Sequence, residues 1–187
     1  MKISTSIKDS SYAVYGLGLS GHSALNFLKK KKVKKIYTWD DKKNVKKVNL
    51  FKKALDIVDY IVISPGINIQ KTKFKLALSK NKKKIITDLD LFYMQKIPVK
   101  SIVITGTNGK STACKLIQHI FKTNRLDAQL GGNIGKPILD LKIGKKSVVI
   151  IEASSFQLAY TKFIKPTLAV ILNITSDHLD WHNTITN

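Results

Sequence analysis

The chain has 187 residues, 43% of them hydrophobic, which is enough for one domain or two small ones with an ordinary core. It shows no run of 18 apolar residues and no long apolar stretch near the N-terminus, so we expect neither membrane insertion nor a secretory signal. Cys114 is the sole cysteine, which excludes an internal disulfide and fits a reducing cytoplasm.

The formal net charge of +21 suggests a nucleic-acid partner, but the kind of basic residue argues against one. Of 33 basic residues only Arg125 is an arginine, the side chain best suited to bidentate phosphate and base contacts. The lysines form runs such as residues 29–35, which is typical of lysine used as a general surface residue. We therefore predict no nucleic-acid partner. A basic module that holds nucleotide or nucleic acid without chemistry remains the alternative, and steep salt dependence would identify it.

Short apolar segments alternate with amphipathic segments along the chain. The apolar segments are β-branched and continuous, as in strands of a parallel sheet that is covered on both faces. This alternation predicts an α/β architecture. The predicted buried strands are residues 12–16, 35–39, 60–64, 102–106, 148–152 and 168–173.

The first predicted strand leads into a glycine-rich turn. Gly16, Gly18 and Gly21 form a G-x-G-x-x-G pattern that opens a helix, and Asp40 ends the next strand at about the expected 20 residues. The pattern predicts a nucleotide or diphosphate site, whereas a turn that merely packs a helix on a sheet is the alternative. Residues 64–66, Ser-Pro-Gly, follow the third strand, where open α/β sheets place ligands; an ordinary loop is the alternative.

A domain boundary is predicted near Pro98. Residues 88–95 are predicted to form a short helix, and a connector then leads into a new strand. The sequence thus predicts two α/β domains, one over 1–97 and one over 98–187.

The second predicted domain begins with an unusual phosphate-loop pattern. Residues 104–112, ITGTNGKST, lie between a strand and a helix, but Ile104 stands where the usual G-x-x-x-x-G-K-[ST] pattern has its first glycine. Gly106 and Gly109 would still let backbone amides converge on phosphate oxygens. A coincidental turn is the alternative.

Charged and hydroxyl side chains follow in the positions that ATP chemistry requires. Lys110 would place its charge on the β- and γ-phosphates, and Ser111 or Thr112 would offer a hydroxyl to Mg²⁺. Glu152 is the sole glutamate and ends the apolar strand 148–152, as expected of a carboxylate that holds the metal. A solvated acid at a strand end is the alternative.

A group of acidic and histidine residues follows the last predicted strand. Its members are Asp177, His178, Asp180 and His182. They are candidates for metal or phosphate contacts, although a histidine after a strand is often a hydrogen-bonding loop residue.

Several motifs, in this order, resemble those of the Mur ligases of peptidoglycan precursor synthesis. They are GTNGKST, GGNIG (131–135), EASSFQL (152–158) and NITSDHLDWH (173–182). GLGLSG near the start, SPGI, DLDLF (88–92), GGNIG and SSFQL are similar to the members that add D-glutamate. The resemblance implies a Rossmann-like parallel-sheet domain over 1–97, followed over 98–187 by the first part of a P-loop-type central ATP-binding domain. The resemblance covers nearly the whole chain, and in this family the short phosphate loop is the normal ATP cradle.

The resemblance implies a role for individual residues. The uridine diphosphate part of the substrate would be held by Leu19, Ser20, Asp40, Asp41, Lys42 and Gly66. Asn133 and Gln157 would line the muramoyl-alanine end. ATP would be bound by Gly106, Thr107, Asn108, Gly109, Lys110, Ser111 and Thr112. Metal ligands would be Ser111, Glu152 and His178, and the catalytic set would be Lys110, Glu152 and His178.

The implied reaction is the ATP-dependent joining of D-glutamate to UDP-N-acetylmuramoyl-L-alanine through an acyl phosphate, with Mg²⁺ as cofactor. Cytoplasmic localisation and a monomeric complete enzyme are expected. Family members continue well beyond residue 187, so the chain resembles an N-terminal portion that binds ligands weakly and does not ligate alone. A related ligase such as folylpolyglutamate synthase is the alternative, which a screen of UDP-muramoyl peptides against folates would distinguish.

Overall fold

A computed structural model describes residues 6–43, 47–177 and 181 of the chain. The chain forms two compact units, Met1–Lys96 with Ala159–Ile164, and Ile97–Leu158 with Lys165–Asn187. Each unit carries its own parallel sheet with helices, which confirms the predicted α/β class. The division into domains at 1–97 and 98–187 stays a prediction.

The first unit is built around a four-stranded sheet in which every pairing is parallel. The strand order is β2-β1-β3-β4, so the chain moves outward in both directions from β1. The elements are β1 Tyr12–Tyr15, α1 Leu19–Lys30, β2 Ile36–Trp39, α2 Val48–Ile57, β3 Tyr60–Ile63, α3 Lys75–Lys80, β4 Ile85–Ile86 and α4 Asp88–Met94.

An aromatic cluster lies beneath the carboxyl ends of β1 and β2. Tyr15 and Trp39 are the last residues of these strands, and both are fully buried against Phe51 and Phe74. Neighbouring ring centroids lie between 5.3 and 5.9 Å apart, mostly in edge-on contact, which is a favourable arrangement for aromatic rings. This closely packed aromatic cluster therefore supports the loops that follow β1 and β2.

Residues 159–164 are fastened to the first unit through Asp90. This fully buried carboxylate forms a capping box with Thr87 and accepts hydrogen bonds from the backbone N–H groups of Lys162 and Phe163, at 2.7 and 2.6 Å. Burial raises the pKa of Asp90, and the four donors oppose this effect only in part. The Lys162 ammonium donates to three backbone carbonyls, those of Lys82, Lys83 and Ile85.

The second unit carries a parallel sheet with the strand order β6-β7-β5-β8. Its elements are β5 Lys100–Thr105, α5 Lys110–Thr123, β6 Ala128–Gly132, β7 Val148–Glu152, α6 Ser155–Tyr160 and β8 Leu168–Ile171. β7 and β5 are central, so the loops that follow them lie side by side at one edge of the sheet.

All six predicted strands are present, with ends that differ by one or two residues. Two further strands, β4 and β6, escaped prediction because β4 has two residues and β6 ends in two glycines. The prediction that β8 is buried is wrong: Leu168 is 53% exposed and Ile171 is 64% exposed. The reason is that, in the described part of the chain, β8 pairs with β5 alone. No helix among the described residues is long and apolar enough to cross a membrane.

Candidate functional site

Three loops of the first unit meet at one edge of its sheet. The predicted UDP-binding residues follow β1 (Leu19 and Ser20), β2 (residues 40–42) and β3 (Gly66). Because these strands are adjacent and parallel, their carboxyl ends lie together, where ligands of open α/β sheets bind. Leu19 is 85% exposed, and a side chain added at Gly66 would meet no other atom within 4 Å.

The glycine turn after β1 has steric reasons for its composition. Gly16 has a φ of +88°, a conformation that favours glycine. A Cβ at Gly21 would lie 1.8 Å from the Gly16 carbonyl oxygen, so α1 approaches the strand end more closely than any side chain allows. Nothing lies within 4 Å of a Cβ built on Gly18, so this side of the turn is open.

Asp40 organises the turn. Its carboxylate accepts hydrogen bonds from the backbone N–H of Leu17, at 2.8 Å, and of Lys42, at 3.0 Å. The bond from Leu17 is the main cause that lowers the pKa of Asp40. The carboxylate thus joins the loops after β1 and β2 in its ionised form.

Asp41 is held by side chains beneath it. Its carboxylate accepts hydrogen bonds from Tyr15, at 2.7 Å, and from the indole N–H of Trp39, at 2.9 Å, and pairs with the Lys73 ammonium at 3.4 Å. Burial alone would raise the pKa of Asp41, but these three donors outweigh it and leave the pKa lowered. Lys73 was not predicted from the sequence; its ammonium also lies over the Trp39 ring, 4.9 Å from the ring centroid.

In the second unit the loop between β5 and α5 has the shape of a phosphate cradle. Gly106 has a φ of +143° and Gly109, the N-cap of α5, a φ of +82°. These conformations turn the chain sharply from the strand into the helix, so the free N–H groups of the first helical turn point into the loop.

The segment after β8 braces this loop. Asn173 accepts hydrogen bonds from the backbone N–H of Thr107, through its carbonyl, and of Asn108, through its side chain. Its amide group donates to the Asn108 carbonyl at 3.1 Å, and Thr175 exchanges hydrogen bonds with the Thr107 hydroxyl. Two loop amides are therefore already engaged, which the sequence did not indicate.

The Lys110 ammonium folds back onto its own loop. It donates to the carbonyl oxygens of Gly106, at 2.6 Å, and Thr107, at 2.8 Å. Its charge therefore lies over the loop, as a phosphate-binding lysine requires. In a complex, a phosphate oxygen would replace one or both of these carbonyls as the hydrogen-bond acceptor of the ammonium group.

Glu152 lies at the end of β7, next to the start of α5. Its side chain is 2% exposed. One carboxylate oxygen accepts a hydrogen bond from the Ser111 hydroxyl at 2.7 Å, and the other accepts one from the Asn133 amide at 2.9 Å. The structure thus brings together the predicted metal ligands Ser111 and Glu152, which are 41 residues apart in the chain.

This pair of oxygens suits Mg²⁺. The ion prefers oxygen ligands in an octahedron, whose neighbouring ligands lie about 2.9 Å apart when the metal–oxygen distance is about 2.05 Å. The 2.7 Å between the Ser111 and Glu152 oxygens is close to that edge. No group of three His, Cys, Asp or Glu side chains is assembled among the residues that the structure describes. Phosphate oxygens and water would complete the shell, as is usual for Mg²⁺.

Other candidate residues have different surroundings. The Gln157 side-chain carbonyl accepts hydrogen bonds from the backbone and hydroxyl of Ser154 and so caps α6. Cys114 is fully buried, and burial together with the Glu152 charge raises its pKa to about 11, so it is not a reactive thiol. Asp177 is exposed; His178, Asp180 and His182 lie outside the described residues.

A family model described as the Mur ligase middle domain matches residues 104–187. Three relatives are named UDP-N-acetylmuramoylalanine–D-glutamate ligase. The one from Wolbachia pipientis wMel is 35% identical over 96% of this chain, and the one from Buchnera aphidicola of Schizaphis graminum is 41% identical over 89%. The one from Rickettsia bellii is 46% identical over 67% of this chain.

The chain spans less than half of these relatives, covering 37%, 40% and 27% of their respective lengths. Among solved structures, a UDP-N-acetylmuramate:L-alanyl-gamma-D-glutamyl-meso-diaminopimelate ligase from Neisseria meningitides is similar, with a TM-score of 0.51 and 16% identity. That alignment covers 92% of this chain and 63% of the other, and at this identity it supports the fold alone.

Proposed function

Because this chain belongs to the Mur ligase family, we propose that it is part of an ATP-dependent ligase that adds D-glutamate to UDP-N-acetylmuramoyl-L-alanine. The observation that carries the proposal is the contact of Ser111 with Glu152 beside the Lys110 loop. A strand-end carboxylate in contact with the hydroxyl of a phosphate loop is the arrangement that Mg·ATP requires.

The first unit would bind the uridine diphosphate end of the substrate. Asp40 and the glycine turn shape the loop, and the open side at Gly18 leaves its backbone accessible to a diphosphate. Asp41 is committed to Tyr15 and Trp39, so its contribution would come mainly from holding Lys73 near the site. We propose that Leu19, Ser20, Lys42 and Gly66 complete this site.

The second unit would bind ATP. The amides of Thr107 and Asn108 are occupied by Asn173, so the phosphates would rest mainly on the N–H groups from Gly109 to Thr112. Lys110 would neutralise the β- and γ-phosphates. Ser111 and Glu152 would hold Mg²⁺, which would supply charge neutralisation on the phosphoryl oxygens. His178 stays a prediction as a further ligand.

The reaction would run in two steps. The alanine carboxylate would attack the γ-phosphorus of ATP, breaking its bond to the β,γ-bridging oxygen, so that ADP leaves and an acyl phosphate forms. The D-glutamate amine would then attack the acyl carbon, release inorganic phosphate and lose a proton to solvent to give the amide. Lys110 and the first-turn amides of α5 would stabilise the charge that develops on the transferred group. Asn133 and Gln157 would lie at the muramoyl-alanine end and orient its carboxylate.

The test is calorimetric titration of the chain with Mg·ATP and, separately, with UDP-N-acetylmuramoyl-L-alanine. Lys110→Ala is expected to weaken Mg·ATP binding by roughly tenfold or more, because it removes a charge-assisted contact, and to leave binding of the UDP compound unchanged. Lys115→Ala, the same change at an exposed position of α5, is the control. Equal Mg·ATP affinity in both variants, or no binding of the UDP compound, would overturn the proposal.

A further inference from the structure

Gly132 ends β6, Asn133 follows it, and both pack closely against the end of β7. The Asn133 backbone N–H donates to the Glu152 carbonyl oxygen at 2.8 Å. Gly132 has a φ of +105°, and a Cβ there would lie 2.3 Å from the same oxygen. The backbone therefore fixes where the Asn133 side chain begins.

The Asn133 side chain reaches the carboxylate of the same glutamate. Its amide nitrogen donates to one Glu152 oxygen at 2.9 Å. A carboxylate can only accept, so the NH₂ group of the amide must face it, and this fixes the orientation of the Asn133 side chain. Ser111 donates to the other oxygen, so the two oxygens have different partners.

These contacts give the two oxygens of the Glu152 carboxylate different neighbours. Glu152 is 2% exposed, although Ser111 and Asn133 are themselves exposed, and rotation about its last bond would break both hydrogen bonds. One carboxylate oxygen is thereby held beside Ser111 at the phosphate loop, where a metal bound with ATP would lie. The other oxygen is held by Asn133.

We infer that Asn133 is a positioning residue for Glu152, which it orients so that a single carboxylate oxygen is presented to the metal of Mg·ATP. This inference rests on the proposed function and gives Asn133 a role besides the substrate contact proposed above. Groups that orient a metal ligand through a hydrogen bond typically contribute about 10- to 100-fold to metal affinity.

The two roles of Asn133 predict different measurements. If Asn133 only contacts the substrate, its substitution would weaken binding of UDP-N-acetylmuramoyl-L-alanine and leave nucleotide binding unchanged. If Asn133 positions Glu152, its substitution would reduce the gain in ATP affinity that Mg²⁺ produces, whereas the ATP affinity measured with a chelator would stay the same. Loss of the local fold would weaken both.

The experiment is titration of the chain with ATP in the presence of Mg²⁺ and in the presence of EDTA. Asn133→Ala is expected to lower the Mg²⁺-dependent gain about tenfold or more and to leave the affinity in EDTA unchanged. Asn133→Ser is a second variant that retains a polar side chain, and circular dichroism would verify the fold of both. The matched control is Gln129→Ala, since Gln129 lies on β6, the strand that leads to Asn133, and its amide donates to Asp127, another carboxylate.

An unchanged gain in both Asn133 variants, or an equal loss with and without Mg²⁺, would overturn the inference. A further outcome is that the unmodified chain binds ATP through Lys110 without any gain in affinity from Mg²⁺. That result would overturn the inference about Asn133 and would leave the proposed ATP site supported. Absence of any ATP binding would remove the proposed function and this inference together.

Discussion

At the scale of single residues, the two charged groups proposed to act on ATP already have partners in the chain itself. Lys110 is bound to two carbonyls of its loop, and Glu152 to Ser111 and Asn133. Such contacts hold side chains near the geometry that a ligand needs, so that binding costs less ordering of the site. Ligands would exchange these partners rather than order free side chains.

Gly132→Ala is expected to lower the free energy of unfolding of the second unit by about 1–3 kcal/mol or more. The φ of +105° strains any other residue, and the new Cβ would lie 2.3 Å from the Glu152 carbonyl. Urea unfolding monitored by circular dichroism would measure the change. Gly18→Ala is the control, because its φ of −74° is ordinary and its Cβ would meet nothing within 4 Å. Equal effects of the two substitutions would contradict this account.

Stability is expected to fall when the pH falls below about 4, the ordinary pKa of an aspartate. Burial alone would raise the pKa of Asp59, but hydrogen bonds from the hydroxyl and backbone N–H of Ser11 outweigh it and lower the pKa. A lowered pKa in the folded state means that the stabilisation is present above the unfolded pKa and lost as the pH falls through the folded one. Thermal melts of Asp59→Asn between pH 6 and 3 should therefore show a smaller decrease than melts of the unmodified chain; an identical decrease would exclude this role.

The sequence alone singled out Lys110, Ser111 and Glu152 as candidate residues, because phosphate loops and strand-end acids are local patterns; their roles stay predictions. It could not predict the contacts of Asn173, Lys73 or Asn133. Each of these side chains meets its partner through loops whose conformations depend on the packed sheets. The contact between Ser111 and Glu152 was predictable because β5 and β7 were both expected strands of one parallel sheet.

At the scale of elements, β-branched runs identified six of the eight strands found in the described residues, whereas β6 was hidden by its composition. Gly131 and Gly132 have low strand propensity, yet close packing requires both: a Cβ at Gly131 would lie 2.7 Å from the Lys136 carbonyl oxygen, and one at Gly132 would lie 2.3 Å from that of Glu152. The segment 159–164 was not recognised as a part that packs with the first unit, since its attachment depends on the buried Asp90 and on Lys162.

Asp90→Ala is expected to lower the free energy of unfolding by about 2 kcal/mol or more. It removes the capping box of α4 and leaves the N–H groups of Lys162 and Phe163 without their acceptor. Chemical denaturation would measure the change, and hydrogen exchange would show faster exchange at Lys162 and Phe163. The exposed Asp9→Ala is the control for loss of one negative charge. Unchanged exchange at these two amides would show that Asp90 does not hold the segment.

At the scale of the whole molecule, two parallel-sheet units each present loops at the carboxyl edge of a sheet. The first unit offers an open glycine turn, and the second offers a lysine-bearing loop next to a buried glutamate. The strong positive charge is spread over lysines and explains neither site, since the distinctive contacts of both are hydrogen bonds among amide, hydroxyl and carboxylate groups.

We expect Ser111 and Glu152 to hold the metal of a bound Mg·ATP, and the proposed function depends on this contact. The most direct test is a crystal structure of the chain with Mn²⁺ and a non-hydrolysable ATP analogue, using anomalous scattering to locate the metal. We expect one anomalous peak within bonding distance of the Ser111 hydroxyl and one Glu152 oxygen, with the Lys110 ammonium turned from its loop carbonyls onto the phosphates. A nucleotide-bound metal that contacts neither side chain would contradict the account.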